Sequence, residues 1–98
     1  MAEIAWTIEA ERWLREIHDY IAQDNPEAAW RTIEGIRQKV LLLRQFPELG
    51  YRHWPSPMAN VRILLYGHYR IAYLIKSDES IEILGIFHAA FDDINRFL

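Results

Sequence analysis

Apolar residues alternate with others at Ile4, Trp6 and Ile8, and this two-residue period predicts a short first strand. The period then changes. Ala10, Trp13, Leu14, Ile17 and Ile21 recur at helical spacing on one face, while Glu11, Arg12, Arg15, Glu16 and Asp19 fill the other. A helix over 9–22 follows, with Thr7 placed to cap it. Asp24-Asn25-Pro26 punctuates the chain. Asparagine suits an N-cap, and proline suits the first helical position, where its missing N–H leaves no bond unmade. From there Ala29, Ile33, Ile36, Val40 and Leu43 run at a 4-3-4-3 spacing, the seam of one helix packed on another. A second helix is expected over 26–45. The short link makes it antiparallel to the first. Gly35 sits inside it at a cost of ~1 kcal/mol against alanine, and a close approach between helices would account for it.

Pro47, Gly50, Pro55 and Pro57 predict a loop over 46–60, with Trp54 inside it as a lid on the core. Three strands are expected next, over 61–66, 69–75 and 81–87. Gly67-His68 and Ser77-Asp78-Glu79 supply the turns between them. The chain ends in a short amphipathic helical segment with Phe87, Phe91, Ile94 and Leu98 on one stripe; these and Phe97 read as packing residues. The fold class is therefore α+β: one domain, 1–98, in β-α-α-β-β-β order, with a helix hairpin packed on an antiparallel sheet.

If the turns set the register, both faces of the meander can be written down. One carries Val61, Ile63, Leu65, Ala72, Leu74, Leu84 and Ile86. The other carries Leu64, Tyr66, Tyr69, Ile71, Tyr73, Ile75, Ile83 and Phe87, together with Arg62. A sheet with one wet face alternates apolar and polar residues. Both faces here are largely apolar. The helix hairpin covers one, and the other needs the C-terminal segment or a second protein.

Composition sharpens that surplus. Ninety-eight residues include four tryptophans and are 51% apolar. A chain this short buries only roughly 60 to 65% of its unfolded surface, so some of that apolar supply stays outside, where large patches mark partner sites. The absence of cysteine excludes disulfides and thiolate metal sites. No apolar run approaches the ~18 residues of a membrane span, and no basic-then-apolar leader opens the chain. A cytoplasmic protein is the expectation. The net charge of −3 argues against a nucleic-acid grip built on cations meeting phosphates.

The candidate chemistry is sparse. Metal-free RNA cleavage needs a base for the 2′-OH, cations for the phosphorane and an acid for the leaving oxygen. Arg62, Tyr69, Arg70 and His88, with Arg52, supply those residue types near adjacent strands. The register above places Arg62 and Tyr69 on one face and Arg70 and His88 on the other. The plainer reading has both arginines paired with carboxylates at the sheet rim and His88 capping the last strand. His18, His53, His68 and His88 show no metal-ligand spacing. No nucleophile motif and no glycine-rich phosphate loop appears, so no cofactor is expected. The helix cations, interleaved with acids, read as a solvated face. Trp13 belongs to the core stripe. Trp30 lies off the second helix's seam beside Arg37 and Leu41 and is a candidate for a partner groove.

The order of elements, together with certain phrases, resembles the RelE/ParE toxin superfamily and within it the ParE branch. Asp24-Asn25-Pro26-Glu27-Ala28-Ala29 is similar to the family's inter-helix phrase, and Phe46-Pro47-Glu48-Leu49-Gly50 to the end of its second helix. Arg62, Tyr69-Arg70-Ile71 and Tyr73 match its central strands, and Ile83-Leu84 to His88 its last strand. The resemblance implies an antitoxin that wraps the toxin in a hetero-oligomer, and the apolar surplus on the helix hairpin and sheet gives Trp30, Arg37, Leu41, Tyr66 and Tyr73 as the expected contacts. It also implies either inhibition of DNA gyrase, as in ParE-like toxins, or ribosome-dependent mRNA cleavage, as in RelE-like ones. An inactive relative that only pairs with its antitoxin is the third reading. Phe91-Asp92-Asp93 stands where the family often has an arginine after the histidine, and the chain is acidic where most relatives are basic. Both departures rank gyrase above RNA.

Overall fold

A computed structural model describes residues 2–53 and 59–88. Strand β1 (Ile4–Trp6) leads into helix α1 (Ile8–Ala22), helix α2 (Pro26–Leu41), strand β2 (Tyr51–Arg52), strand β3 (Asn60–Tyr66), strand β4 (Tyr69–Ile75) and strand β5 (Ile81–His88). The caps are those the sequence predicts. The Thr7 hydroxyl accepts from the Ala10 N–H at 3.1 Å and donates to the Ile83 carbonyl at 2.7 Å, so one side chain starts α1 and ties it to β5. The Asn25 side chain accepts from the Ala28 N–H at 3.1 Å, with Pro26 next in line.

The second helix is shorter than its seam suggests. After Leu41 the chain tightens into a 3₁₀ turn over Leu42–Arg44. Phe46 precedes Pro47, and the residue before a proline is pushed out of helical geometry. The terminal carbonyls are satisfied instead by the tighter turn. Leu42 O accepts from Gln45 N at 3.2 Å and from Phe46 N at 2.9 Å.

The sheet order is β1-β5-β4-β3-β2. It departs from the expected antiparallel meander in three ways. First, β1 pairs with β5 in parallel, Ile4 opposite Ile81 and Trp6 opposite Ile83, so the sheet is mixed. A parallel neighbour needs a long crossover, and the helix hairpin and meander between β1 and β5 supply it. Second, Tyr51–Arg52 forms an edge strand inside the expected loop, with Tyr51 opposite Ile63 and Arg52 opposite Arg62. Third, the β4–β5 register shifts: Tyr73 faces Ile83 but Ala72 faces Gly85, which leaves Leu84 as an extra residue. This bulge turns the rest of β5 over. Ile86 therefore joins the helix face and Phe87 the opposite one, the reverse of the simple alternation.

α1 and α2 close over the first sheet face. Ala10 and Leu14 meet Ile33, Ile36, Val40 and Leu43, and all six pack on Leu64, Ile71, Tyr73, Ile81, Ile83 and Ile86. On the opposite face Ile63, Ala72 and Phe87 form a second buried cluster with Leu84 and Trp13 against it. Trp13 lies 5.6 Å from Phe87, ring centre to ring centre, and so joins the two layers. The expectations for Trp54, Phe91, Ile94, Phe97 and Leu98 fall outside the described residues.

Candidate functional site

The helix hairpin presents a shallow groove floored by Leu14 and Ile33 and walled by Glu11, Arg15, His18, Trp30 and Arg37. Trp30 is 65% exposed, because it stands off the buried seam of α2. Its ring meets that of His18 at 4.7 Å between centres. His18 Nδ1 lies 3.1 Å from the Asp19 carboxylate, and its Nε2 is buried without a hydrogen-bond partner. Arg37 spans the helices: it pairs with Glu11 at 3.3 Å, and its guanidinium sits over the Trp6 ring, 5.1 Å from the centre. Leu41 is exposed farther along the same helix, and the adjacent Leu42 is exposed with it.

The sheet residues divide differently from the sequence reading. Tyr66 is half-buried, with its hydroxyl end against Gly35 of α2; a Cβ on that glycine would clash with the Tyr66 Oη and Cζ. The close neighbour that Gly35 makes room for is thus a tyrosine of β3, not the other helix. Tyr73, expected at a partner contact, is fully buried. Its hydroxyl accepts from the Gly50 N–H at 2.9 Å and donates to the Pro47 carbonyl at 2.7 Å. Burial pushes this phenol above its ordinary range, against the lowering pull of the Gly50 N–H and of Arg62. Arg62 fastens the same loop. It donates to the Gly50 carbonyl at 2.8 Å, to the Glu48 carbonyl at 3.4 Å and to the Asn60 side chain at 3.1 Å. The rim carboxylate expected for Arg62 is replaced by backbone carbonyls. Phe46-Pro47-Glu48-Leu49-Gly50 is therefore a loop held from beneath by one tyrosine and one arginine.

The remaining candidates lie at the other end of β4. The bulge places His88 directly opposite Tyr69 on the helix face, where the sequence register had separated them. The two rings meet edge-on, 5.5 Å apart at 90°. Tyr69 and His88 share a groove with Trp13, Glu16, Ile17 and Tyr20. Burial raises the Tyr69 phenol above its ordinary range and the neighbouring Tyr20 adds to the shift, so Tyr69 keeps its proton at neutral pH. Arg70 lies opposite Phe87 and points to the other face. Arg62 pairs with Tyr73, four residues along β4 from Tyr69, which is about 13 Å at strand rise. The four candidates thus fall into three places. His68, of the β3–β4 turn, stacks near His88 at 5.9 Å.

These features match known proteins. Residues 4–92 match the family model described as the ParE toxin of the type II toxin–antitoxin system parDE. A protein of Sinorhizobium fredii named "Putative toxin Y4kP" is 38% identical over 88 residues, 88% of this chain and 86% of that one. A solved structure titled "Chromosomal ParDE TA system from P. aeruginosa" superposes with a TM-score of 0.73 at 28% identity, over 90% of this chain and 96% of that one. No helix among the described residues is long and apolar enough to cross a membrane. The helix hairpin on a five-stranded mixed sheet, the fastened Phe-Pro-Glu-Leu-Gly loop and the family match over nearly the whole chain carry one conclusion: this chain belongs to the ParE toxin family of type II toxin–antitoxin systems.

Proposed function

We propose that this toxin acts in the cytoplasm by binding DNA gyrase, not by cutting RNA, and that a cognate antitoxin silences it by covering the helix hairpin. One observation carries the choice of target. The groups that RNA cleavage would need do not converge. Arg62 is engaged with loop carbonyls, Arg70 faces away from Tyr69 and His88, and about 13 Å of strand separates Arg62 from Tyr69. A phosphorane needs its cation and its proton donor within hydrogen-bond reach of one phosphate. The net charge of −3 also works against holding RNA.

The antitoxin contact rests on the exposed apolar residues. Trp30 and Leu41 stand out of the helix hairpin with no described element over them, and Arg37 offers a cation beside them. Apolar side chains of an antitoxin segment fit that groove; Tyr66, set against Gly35, is not among its lining residues. Tyr73 supports the contact only indirectly, by holding the loop.

Purified toxin supplied to gyrase and relaxed plasmid, and separately to ribosomes translating a defined mRNA, tests the target. Lost supercoiling or trapped cleaved plasmid with intact mRNA is the expected result. Codon-positioned cuts that vanish in His88→Ala, with normal supercoiling, would overturn it.

A further inference from the structure

We propose that the loop Phe46-Pro47-Glu48-Leu49-Gly50 is the face this toxin turns toward its target, a docking seat for a protein surface that presents an apolar side chain ringed by lysine or arginine. The inference rests on the reading that the toxin acts by binding a protein, and names the surface that does so. Surface loops are ordinarily polar and mobile. This one is fixed from beneath: Tyr73 and Arg62 hold the Gly50 N–H and the carbonyls of Pro47, Glu48 and Gly50. The Leu49 N–H closes it further, donating to the Phe46 carbonyl at 3.0 Å. Yet Phe46 is 56% exposed and Leu49 46% exposed. The anchors grip backbone and leave both large apolar side chains outside. An apolar display held this rigidly loses little freedom when a partner covers it.

Phe46, Pro47 and Leu49 line a shallow groove of about 520 Å³ together with Ile75 at the end of β4 and the carboxylates of Glu48 and Glu79. It shares no lining residue with the Trp30 groove. The adjoining depression has Pro47 and Glu79 in common with it and adds Glu3 and Asp78 against Arg44. Glu48 and Glu79 make no ion pair among the described residues. A basic rim on the partner therefore meets opposite charge here. RNA would meet like charge, and a second copy docked on the same face would set carboxylates against carboxylates. The Trp30 groove has the other balance, with Arg15 and Arg37 against Glu11, so the two grooves suit different partners. Glu79 also has a φ of +69°, so the β4–β5 turn keeps a carboxylate at the groove where glycine would sit without strain.

The test compares the full-length toxin with its Phe46→Ala, Leu49→Ala double variant in three assays: growth arrest on induction without antitoxin, inhibition of purified gyrase, and affinity for the antitoxin. Both side chains are about half exposed, so the variant should keep its fold by circular dichroism. It should need about tenfold more toxin, or higher, for the same inhibition, with antitoxin affinity unchanged. Glu79→Gly relieves the left-handed strain, so its thermal midpoint should rise while its inhibition weakens about threefold or more. A merely structural role for that turn would leave inhibition intact. If the parent inhibits gyrase and both variants inhibit it equally well, the proposal falls and the gyrase reading stands. A double variant that loses antitoxin affinity gives the loop to the antitoxin and also overturns the proposal. A parent that leaves gyrase untouched sinks the gyrase reading; the docking seat then falls too if the double variant still arrests growth, and stands if arrest is lost.

Discussion

The hydroxyl end of Tyr66 lies against Gly35, so β3 reaches the backbone of α2 at a point with no room for a methyl group. Helix propensity alone would reward Gly35→Ala by ~1 kcal/mol. The contact reverses that sign. A Cβ would clash with both the Tyr66 Oη and its Cζ, so the ring itself must move, and overpacking of this kind costs about 1 to 3 kcal/mol. Gly35→Ala is expected to destabilise the protein in urea unfolding. In a Tyr66→Ala background the clash is gone, and the same change should become neutral or stabilising. Equal effects in the two backgrounds would mean that Tyr66 is not what keeps position 35 a glycine.

Tyr73 makes a second prediction, in two parts. Tyr73→Phe keeps the buried ring but leaves the buried Gly50 N–H and the Pro47 carbonyl unbonded. An unsatisfied buried group costs about 1 to 3 kcal/mol, and unfolding measurements should show a loss in that range. The pH dependence follows from the phenol, whose folded value is raised above 10.0 mainly by burial. A raised value means the folded state holds the proton more tightly. The stability it contributes is present in full below the unfolded value and is lost as pH rises through the folded one. Stability should thus fall as pH rises above 10, and fall less steeply in Tyr73→Phe. Tyr69, raised in the same direction, leaves some of that slope in the variant.

How far the sequence foretold this arrangement depends on range. Both helices, their Thr7 and Asn25 caps and the three long strands follow from local periodicity and turn chemistry, and their bounds agree within a residue except where α2 gives way to the 3₁₀ turn. What stayed hidden is non-local. Tyr51–Arg52 is too short to show a period and is a strand only because Arg62 and Ile63 lie beside it. The parallel pairing of Ile4 with Ile81 joins the two ends of the described chain. The bulge at Leu84 changes nothing in the apolar count of β5, yet it moves His88 from one face to the other. Of the four candidate residues only His88 inherited that error; Arg62 and Tyr69 share one face and Arg70 lies on the other, as the alternation has them. Tyr73 read as a partner contact because its true partners, Pro47 and Gly50, are more than twenty positions away.

Arg62 separates a structural from a chemical role. Its three hydrogen bonds all hold the loop or its flank: one terminal nitrogen donates to both backbone carbonyls while Nε donates to the Asn60 side chain, two donor positions that a lysine does not offer together. Arg62→Lys keeps the charge and loses the fork. Both Arg62→Lys and Arg62→Ala should therefore lower stability by about 1 to 3 kcal/mol, with faster amide exchange at Gly50. A lysine variant as stable as the parent, with the proposed gyrase inhibition abolished, would instead assign Arg62 to the target contact.

Trp30 offers the most direct test of the antitoxin surface. The side chain is 65% exposed, so truncating it should cost the isolated fold little. Its one described ring contact is His18, whose buried Nε2 has no hydrogen-bond partner. Tryptophans in such positions dominate binding energy when a partner covers them. Trp30→Ala should weaken the toxin–antitoxin complex by about 2 kcal/mol or more, read by calorimetry, with the thermal midpoint of the free toxin nearly unchanged. Arg37→Ala should cost less than Trp30→Ala, because the Arg37–Glu11 pair is about half exposed and solvent screens it. Leu41→Ala tests how far the contact runs along α2. If Trp30→Ala leaves the affinity intact while Leu41→Ala lowers it, the antitoxin lies toward the Leu41 end of the helix and the Trp30 groove is not its seat.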